Sequence, residues 1–182
     1  MPNSSIEKII PEIIFSIEEF GKESESLEKV IGELLRKKKK TLAVAESCTG
    51  GYIGHLITSI AGSSDYFNGG IIAYANEIKI NVLKVDEKSL EVNGAVSKEV
   101  VEQMSDGVRK RLKADFGVAT TGIAGPAGGS PEKPVGTVWI SVASDSKIIS
   151  EKFDFGNNRE RNIQRASLSA LNMLRIMLET TL

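Results

Sequence analysis

One cysteine and one histidine in 182 residues remove several classes of function at the outset. A lone cysteine cannot close an internal disulfide and leaves no cysteine cluster for zinc. His55 falls inside a predicted helix with no HxxH or HExxH partner, so it offers neither a metal-ligand spacing nor the centre of a Ser-His-Asp triad. Excess charge of one sign is missing as well. The net charge of −1 gives no global electrostatic case for a polyanion such as duplex DNA, and no nucleic-acid partner is expected. No apolar run approaches bilayer-spanning length, and the first residues lack the basic-then-apolar layout of a signal peptide. The expectation is a cytoplasmic protein without a membrane partner.

What is present suits a globular chain: 41% hydrophobic and 26% charged residues, at a length that fits one core. Residues 1–26 read as a leader or residual linker. Ile9, Ile10, Ile13, Ile14 and Phe15 offer a short apolar face that Gly21 and the following Glu-Ser run interrupt. From Ser26, a plausible N-cap, Leu27, Val30, Ile31, Leu34 and Leu35 recur at helical spacing. Lys37 to Lys40 follow, the one basic run, read as a solvated helix end in preference to a phosphate patch. Thr41 to Ala45 has strand length, a helix is expected from Thr49 to about Ile60, and Gly70 to Tyr74 reads as a second strand.

Asn76 to Leu83 suits a short helix, with another short helical piece before Gly94. Ser97 caps a stronger helix from Lys98 to about Leu112, and Phe116 to Thr120 is a strand. Thr137 to Ala143 and Lys147 to Phe155 are placed as an antiparallel pair about Ser144–Ser146, before a last helix from Arg159 to about Leu178. Strands alternating with helices predict a single-domain α/β layered sandwich, its sheet mixed but mostly parallel and flanked by helices.

Small and hydroxyl residues concentrate in two places. Ala45-Glu46-Ser47-Cys48-Thr49-Gly50-Gly51 runs from a strand directly into a helix, where ligands bind in open α/β sheets. Ser47 there is either an exposed nucleophile or, like Thr49, a helix cap, which is the commoner role for such residues. Thr120 to Thr137, rich in Gly and Pro, also follows a strand and so can share that sheet edge. It is either a binding loop whose amides hold a phosphate or oxyanion, or a plain surface loop. A third segment, Tyr74 to Lys79, opens a short helix after a strand. A lysine of lowered pKa can activate a serine, sometimes with a tyrosine relaying the proton; by composition alone Lys79 is more simply an exposed helix lysine.

Taken together, AESCTGG at 45–51, AGSSDYF at 61–67, GGIIAYANEIK at 69–79, GAVSKEVV at 94–101 and TGIAGPAGGSPEKPVGTVW at 121–139 closely resemble the CinA C-terminal domain family, as does the arginine-bearing terminal helix. The resemblance covers roughly residues 27–178, and the family includes nicotinamide mononucleotide deamidases. It implies hydrolysis of the nucleotide's carboxamide to nicotinic acid mononucleotide and ammonia, without a metal or organic cofactor. Residues 27–182 would form that deamidase domain.

Carried onto this chain, the resemblance implies Ser47 as nucleophile, Lys79 and Tyr74 as its activators, and Arg159 as a phosphate contact. The remaining substrate contacts it implies are Glu46, Thr49, Gly50, Gly51, Asn76, Thr121, Gly122, Ile123, Ala124, Gly125 and Pro126. Amides around either Thr49–Gly51 or Thr121–Ile123 would form the oxyanion hole. Relatives often carry a further arginine one turn after Arg159, where this chain has Ile163 and Gln164; Arg165 is the alternative. Many members also bear a larger N-terminal domain resembling molybdopterin-binding proteins, so the chain reads as a stand-alone domain or a fragment of a longer protein. Self-association is implied too. The competing reading, from a different class, is a catalytically weak nucleotide-binding or regulatory module connected with competence or DNA damage.

Overall fold

The computed structural model describes residues 26–180; the expected leader, apart from Ser26, lies outside them. The elements in chain order are α1 (Leu27–Lys38), β1 (Leu42–Glu46), α2 (Tyr52–Thr58), a 3-10 turn (Ser63–Asp65), β2 (Phe67–Ile72), α3 (Asn76–Asn81) and α4 (Glu87–Asn93). They continue with α5 (Lys98–Arg111), β3 (Phe116–Gly122), β4 (Thr137–Ala143), β5 (Ile148–Asp154) and α6 (Arg159–Thr180).

The five strands form one sheet in the order β2-β1-β3-β4-β5. β1 pairs parallel with β2 and β3, while β4 is antiparallel to both β3 and β5. The sheet is therefore mixed: the ladders divide evenly, and β4 alone runs against the other strands. The C-terminal ends of β1, β2, β3 and β5 consequently meet at one edge, where α6 also starts.

β1 is buried along its whole length because helices cover both faces. Leu42 and Val44 face a core shared with α1, α2 and α6, whereas Ala43 and Ala45 face one shared with α5. The α5 side is close-fitting. A Cβ on Gly117 would collide with the Ser105 carbonyl, and one on Gly107 with the Leu83 carbonyl.

Most boundaries fall near their expected places, and the departures have physical causes. Ser26 occupies the N-cap position of α1 without a side-chain cap bond, whereas Ser97 caps α5 through Val100 N–H. Arg36, Lys37 and Lys38 form the last turn of α1, and Lys40 pairs with Asp115 at 2.8 Å, so the basic run is a helix end. β2 begins three residues earlier than the glycines suggest because Phe67 lies beside Leu42 in the parallel ladder. It ends at Ile72, after which the Ala73 and Tyr74 carbonyls turn toward the Lys79 amine. α2 starts at Tyr52 and not Thr49, since Gly50 and Gly51 take left-handed φ of 61° and 104° in a turn ahead of it.

Candidate active site

The turn after β1 is organised by Glu46. Its carboxylate is 2% exposed and accepts hydrogen bonds from three amides that the start of α2 leaves without intrahelical partners. Oε2 accepts from Gly51 N–H at 3.0 Å and Ile53 N–H at 3.1 Å, and Oε1 from Gly54 N–H at 2.8 Å. The N-cap residue of α2 is Gly51, so neither Ser47 nor Thr49 caps that helix. Thr49 instead ties the turn sideways to β3 through a 2.8 Å hydroxyl contact with Thr120.

That arrangement leaves Ser47 available for chemistry. Its N–H donates to Thr120 O at 3.0 Å, which pins the residue beside β3. Lys79, from α3, places Nζ 3.1 Å from Ser47 Oγ. The same amine donates to Ala73 O at 2.7 Å and lies 3.4 Å from Tyr74 O. Lys79 is 1% exposed, so it is not the solvated helix lysine that composition favours.

No carboxylate contacts Lys79 among the described residues. Burial holds its pKa below the usual 10.5, and the neighbouring Cys48 acts in the opposite direction. The Cys48 thiol is pushed up to about 12 by burial, against lowering hydrogen bonds from its own backbone and from Thr120. It is therefore a protonated thiol next to the serine.

Ser47 and Lys79 open into a cavity of about 300 Å³ at the shared sheet edge. Of the expected residues, Ser47, Tyr74, Asn76, Lys79, Arg159 and the run Thr121 to Gly125 line it. Thr121 Oγ1 donates to Ala95 O at 2.8 Å, and Asn162 Nδ2 to Ala124 O at 3.0 Å, which fixes two walls. Arg159 donates through Nη1 to Gly125 O at 2.9 Å and through Nη2 to the Tyr74 phenol at 3.1 Å.

Not every expected residue reaches this cavity. Glu46, Thr49, Gly50, Gly51 and Pro126 do not line the cavity. Glu46 and Thr49 are spent on the protein itself, and Gly50 and Gly51 shape the turn. The Tyr74 hydroxyl faces Arg159 and not Ser47. Ile163 packs against the core, and Arg165 donates to Phe155 O at 3.4 Å, so among the described residues Arg159 is the one arginine lining the cavity. Cys48, Ala95, Val96, Ala127 and Gly128 line it without having been singled out. Cys48 belongs to the Ala45–Gly51 turn and Ala127 and Gly128 to the Thr120–Thr137 loop, both read as candidate binding segments, whereas Ala95 and Val96 carried only the family motif at 94–101. Among the described residues no group of three or more His, Cys, Asp or Glu side chains is placed to hold a metal ion, and no helix is long and apolar enough to cross a membrane.

A sequence model of the CinA C-terminal domain matches residues 24–178. The chain belongs to the CinA C-terminal domain family. A CinA-like protein of Cytophaga hutchinsonii is 46% identical over 97% of this chain but 43% of its own length. One from Microcystis aeruginosa is 50% identical, over 93% of this chain and 42% of its own. The chain thus spans less than half the length of these curated relatives. Among solved structures, a CinA superfamily protein from Klebsiella pneumoniae superposes with a TM-score of 0.82 at 31% identity, over 85% of this chain and 97% of that one. The competence/damage inducible protein CihA from Agrobacterium tumefaciens gives 0.75 at 38% identity, over 83% and 96%. The CinA fold therefore accounts for nearly the whole described domain.

Proposed function

We propose that this CinA-family domain is an amidohydrolase that converts nicotinamide mononucleotide to nicotinic acid mononucleotide and ammonia. The observation that carries the reading is the buried Lys79 amine 3.1 Å from Ser47 Oγ. A neutral amine has two N–H groups and one lone pair. The Ala73 and Tyr74 carbonyls can only accept, so they take the N–H groups and the lone pair is left for the serine hydroxyl.

In this mechanism Ser47 Oγ attacks the carboxamide carbon as its proton passes to Lys79 Nζ. Collapse of the tetrahedral intermediate breaks the C–N bond, and Lys79 returns the proton to the departing ammonia. Water then adds to the acyl-serine with Lys79 again as base, releasing the carboxylate and regenerating the hydroxyl. The amides of Gly50, Gly51 and Ile123 are already committed to Ser47 O, Glu46 and Thr137 O. Cys48, directly after the nucleophile, lines the cavity and makes no backbone–backbone hydrogen bond through its amide among the described residues, and it is our choice for the oxyanion hole. Arg159 supplies the cation for the substrate phosphate.

The test is ammonia release from nicotinamide mononucleotide by wild type and Ser47→Ala, with circular dichroism confirming that the variant is folded. Loss of release in the variant is expected. Release that survives it would name the wrong nucleophile, and a silent wild type that still binds the nucleotide would favour a binding or regulatory module.

A further inference from the structure

The two edges of the sheet are built differently. β5, on one side, carries Glu151, Lys152 and Asp154, charges of the kind that discourage edge-to-edge pairing. β2, on the other, has no charged residue or proline from Phe67 through to Tyr74, and its Ile72 is 56% exposed. Ala73 N–H donates to Glu46 O at 2.8 Å, and Glu46 is the ladder partner of Ile72. Ile71 and Ala73 therefore address β1, whereas the backbone N–H and C=O groups of Gly70 and Ile72 point away from the sheet.

Beside that edge, between β2 and α2, lies a slot of about 210 Å³ bordered by Gly54, Thr58, Phe67, Gly70 and Ile72. Glu46 borders it too, but its carboxylate is already bonded to three amides. Gly70 cannot fill the slot, because a Cβ there would collide with Val44 Cγ2. An apolar cavity of about 150 Å³ already takes a benzene ring, so there is room for an aliphatic side chain. Charge completes the pattern. Asn68 Nδ2 donates to Leu112 O at 3.0 Å and Lys113 O at 3.2 Å, which sets exposed Lys113 at the start of β2. Glu77, exposed in the first turn of α3, follows the end of β2. Ile78 and Leu112 pack on the same core, so both charges lie on the α5 face of the sheet. Neither forms a salt bridge among the described residues.

We propose that the β2 edge is a homodimer interface, in which β2 pairs antiparallel with β2 of a second copy about a two-fold axis at Ile71. That register sets Gly70 opposite the partner's Ile72, and Ile72 opposite the partner's Gly70, as the hydrogen-bonded pairs of the new ladder. Each Ile72 enters the slot that the facing glycine leaves open. Strands running in opposite directions bring Lys113 of each copy toward Glu77 of the other. One segment thus supplies knob, slot and both charges, which makes it complementary to itself and selects a second copy over an unrelated peptide. The two five-stranded sheets become one, with the Ser47 cavities at its opposite edges. The inference does not depend on the deamidase reading.

The experiment is sedimentation equilibrium of the full chain over a concentration series, with far-UV circular dichroism confirming that each variant is folded. Wild type should be a dimer. Ile72→Asp, which would bury a carboxylate in each slot, should raise the dimer Kd at least about a hundredfold. Glu77→Lys and Lys113→Glu, both on exposed positions, should each raise it about three- to tenfold, and the double exchange should return it to within about twofold of wild type. Amide exchange followed by NMR reads the register. The Gly70 and Ile72 amides should exchange at least about tenfold more slowly in the dimer than in dilute monomer.

A wild type that stays monomeric throughout overturns the proposal, as does a dimer that Ile72→Asp leaves intact. A double exchange no tighter than the single ones overturns the antiparallel arrangement. Slow Gly70 and Ile72 amides in a monomeric protein would mean that some other segment covers the edge, and would overturn the second copy as its occupant.

Discussion

Replacing Glu46 by glutamine changes one atom of a buried carboxylate, and the geometry predicts a disproportionate cost. Oε2 serves Gly51 and Ile53, and Oε1 serves Gly54, so the better amide orientation keeps oxygen on the first pair. The new NH₂ group then faces Gly54 N–H, donor against donor. One charge-assisted hydrogen bond is lost, worth about 1.5–3 kcal/mol, and two become neutral and weaker. Against this, an amide is less costly to bury than a carboxylate. The balance is a loss of about 2–4 kcal/mol, which at roughly 2–4 °C per kcal/mol for a domain of this size lowers Tm by about 5–15 °C.

Urea and thermal unfolding measure the stability directly. Ammonia release, taken where the variant is fully folded, should fall at least about tenfold through kcat, because the loosened turn moves Ser47 off the Lys79 amine. A stability change under about 0.5 kcal/mol, the size of an ordinary surface substitution, would refute the claim that this carboxylate holds the turn.

Four further outcomes follow from the same structure. If neutral Lys79 is the base, ammonia release rises with pH through an apparent pKa below 10.5, and Lys79→Gln abolishes it; a rate that falls across that range would contradict the assignment. The unfolded lysine holds its proton up to about 10.5, above the folded value. Wild-type stability relative to Lys79→Met therefore increases with pH across that interval, which paired urea titrations would read. Cys48, with its thiol pushed up to about 12, should resist iodoacetamide in the folded protein at neutral pH, and Cys48→Ala should keep ammonia release within about threefold. Gly107→Ala drives a methyl into the Leu83 carbonyl and should cost about 1–3 kcal/mol or more in denaturant unfolding, whereas no loss would mean that α5 can shift away freely.

Much of this molecule was legible along the chain because the relevant rules are local. The strand of Leu42 to Glu46, the cap at Ser97, the β4–β5 pair and the long last helix follow from periodicity and turn chemistry. Ser47 and the Thr121–Gly125 loop could be placed at one edge because both follow strands, and the long motifs were specific enough for the family.

What the sequence by itself determined, then, is the order of elements, the family and the identity of the candidate nucleophile. Tertiary structure decided which polar groups are spent and which are left over. Glu46 stands next to Ser47 in the chain and looked like a substrate contact, yet α2 folds back and consumes its carboxylate. By composition alone Lys79 read as a solvated lysine, and only the family resemblance made it an activator; in the fold β1, β2 and α3 bury its amine against two carbonyls and a hydroxyl. Tyr74 and Arg159 are 85 residues apart and meet only because β2 and β5 end at the same edge of the sheet. Hydrogen-bond partners and desolvation are set by whatever atoms surround a group in space, and a local pattern carries almost no record of residues that arrive from elsewhere in the chain.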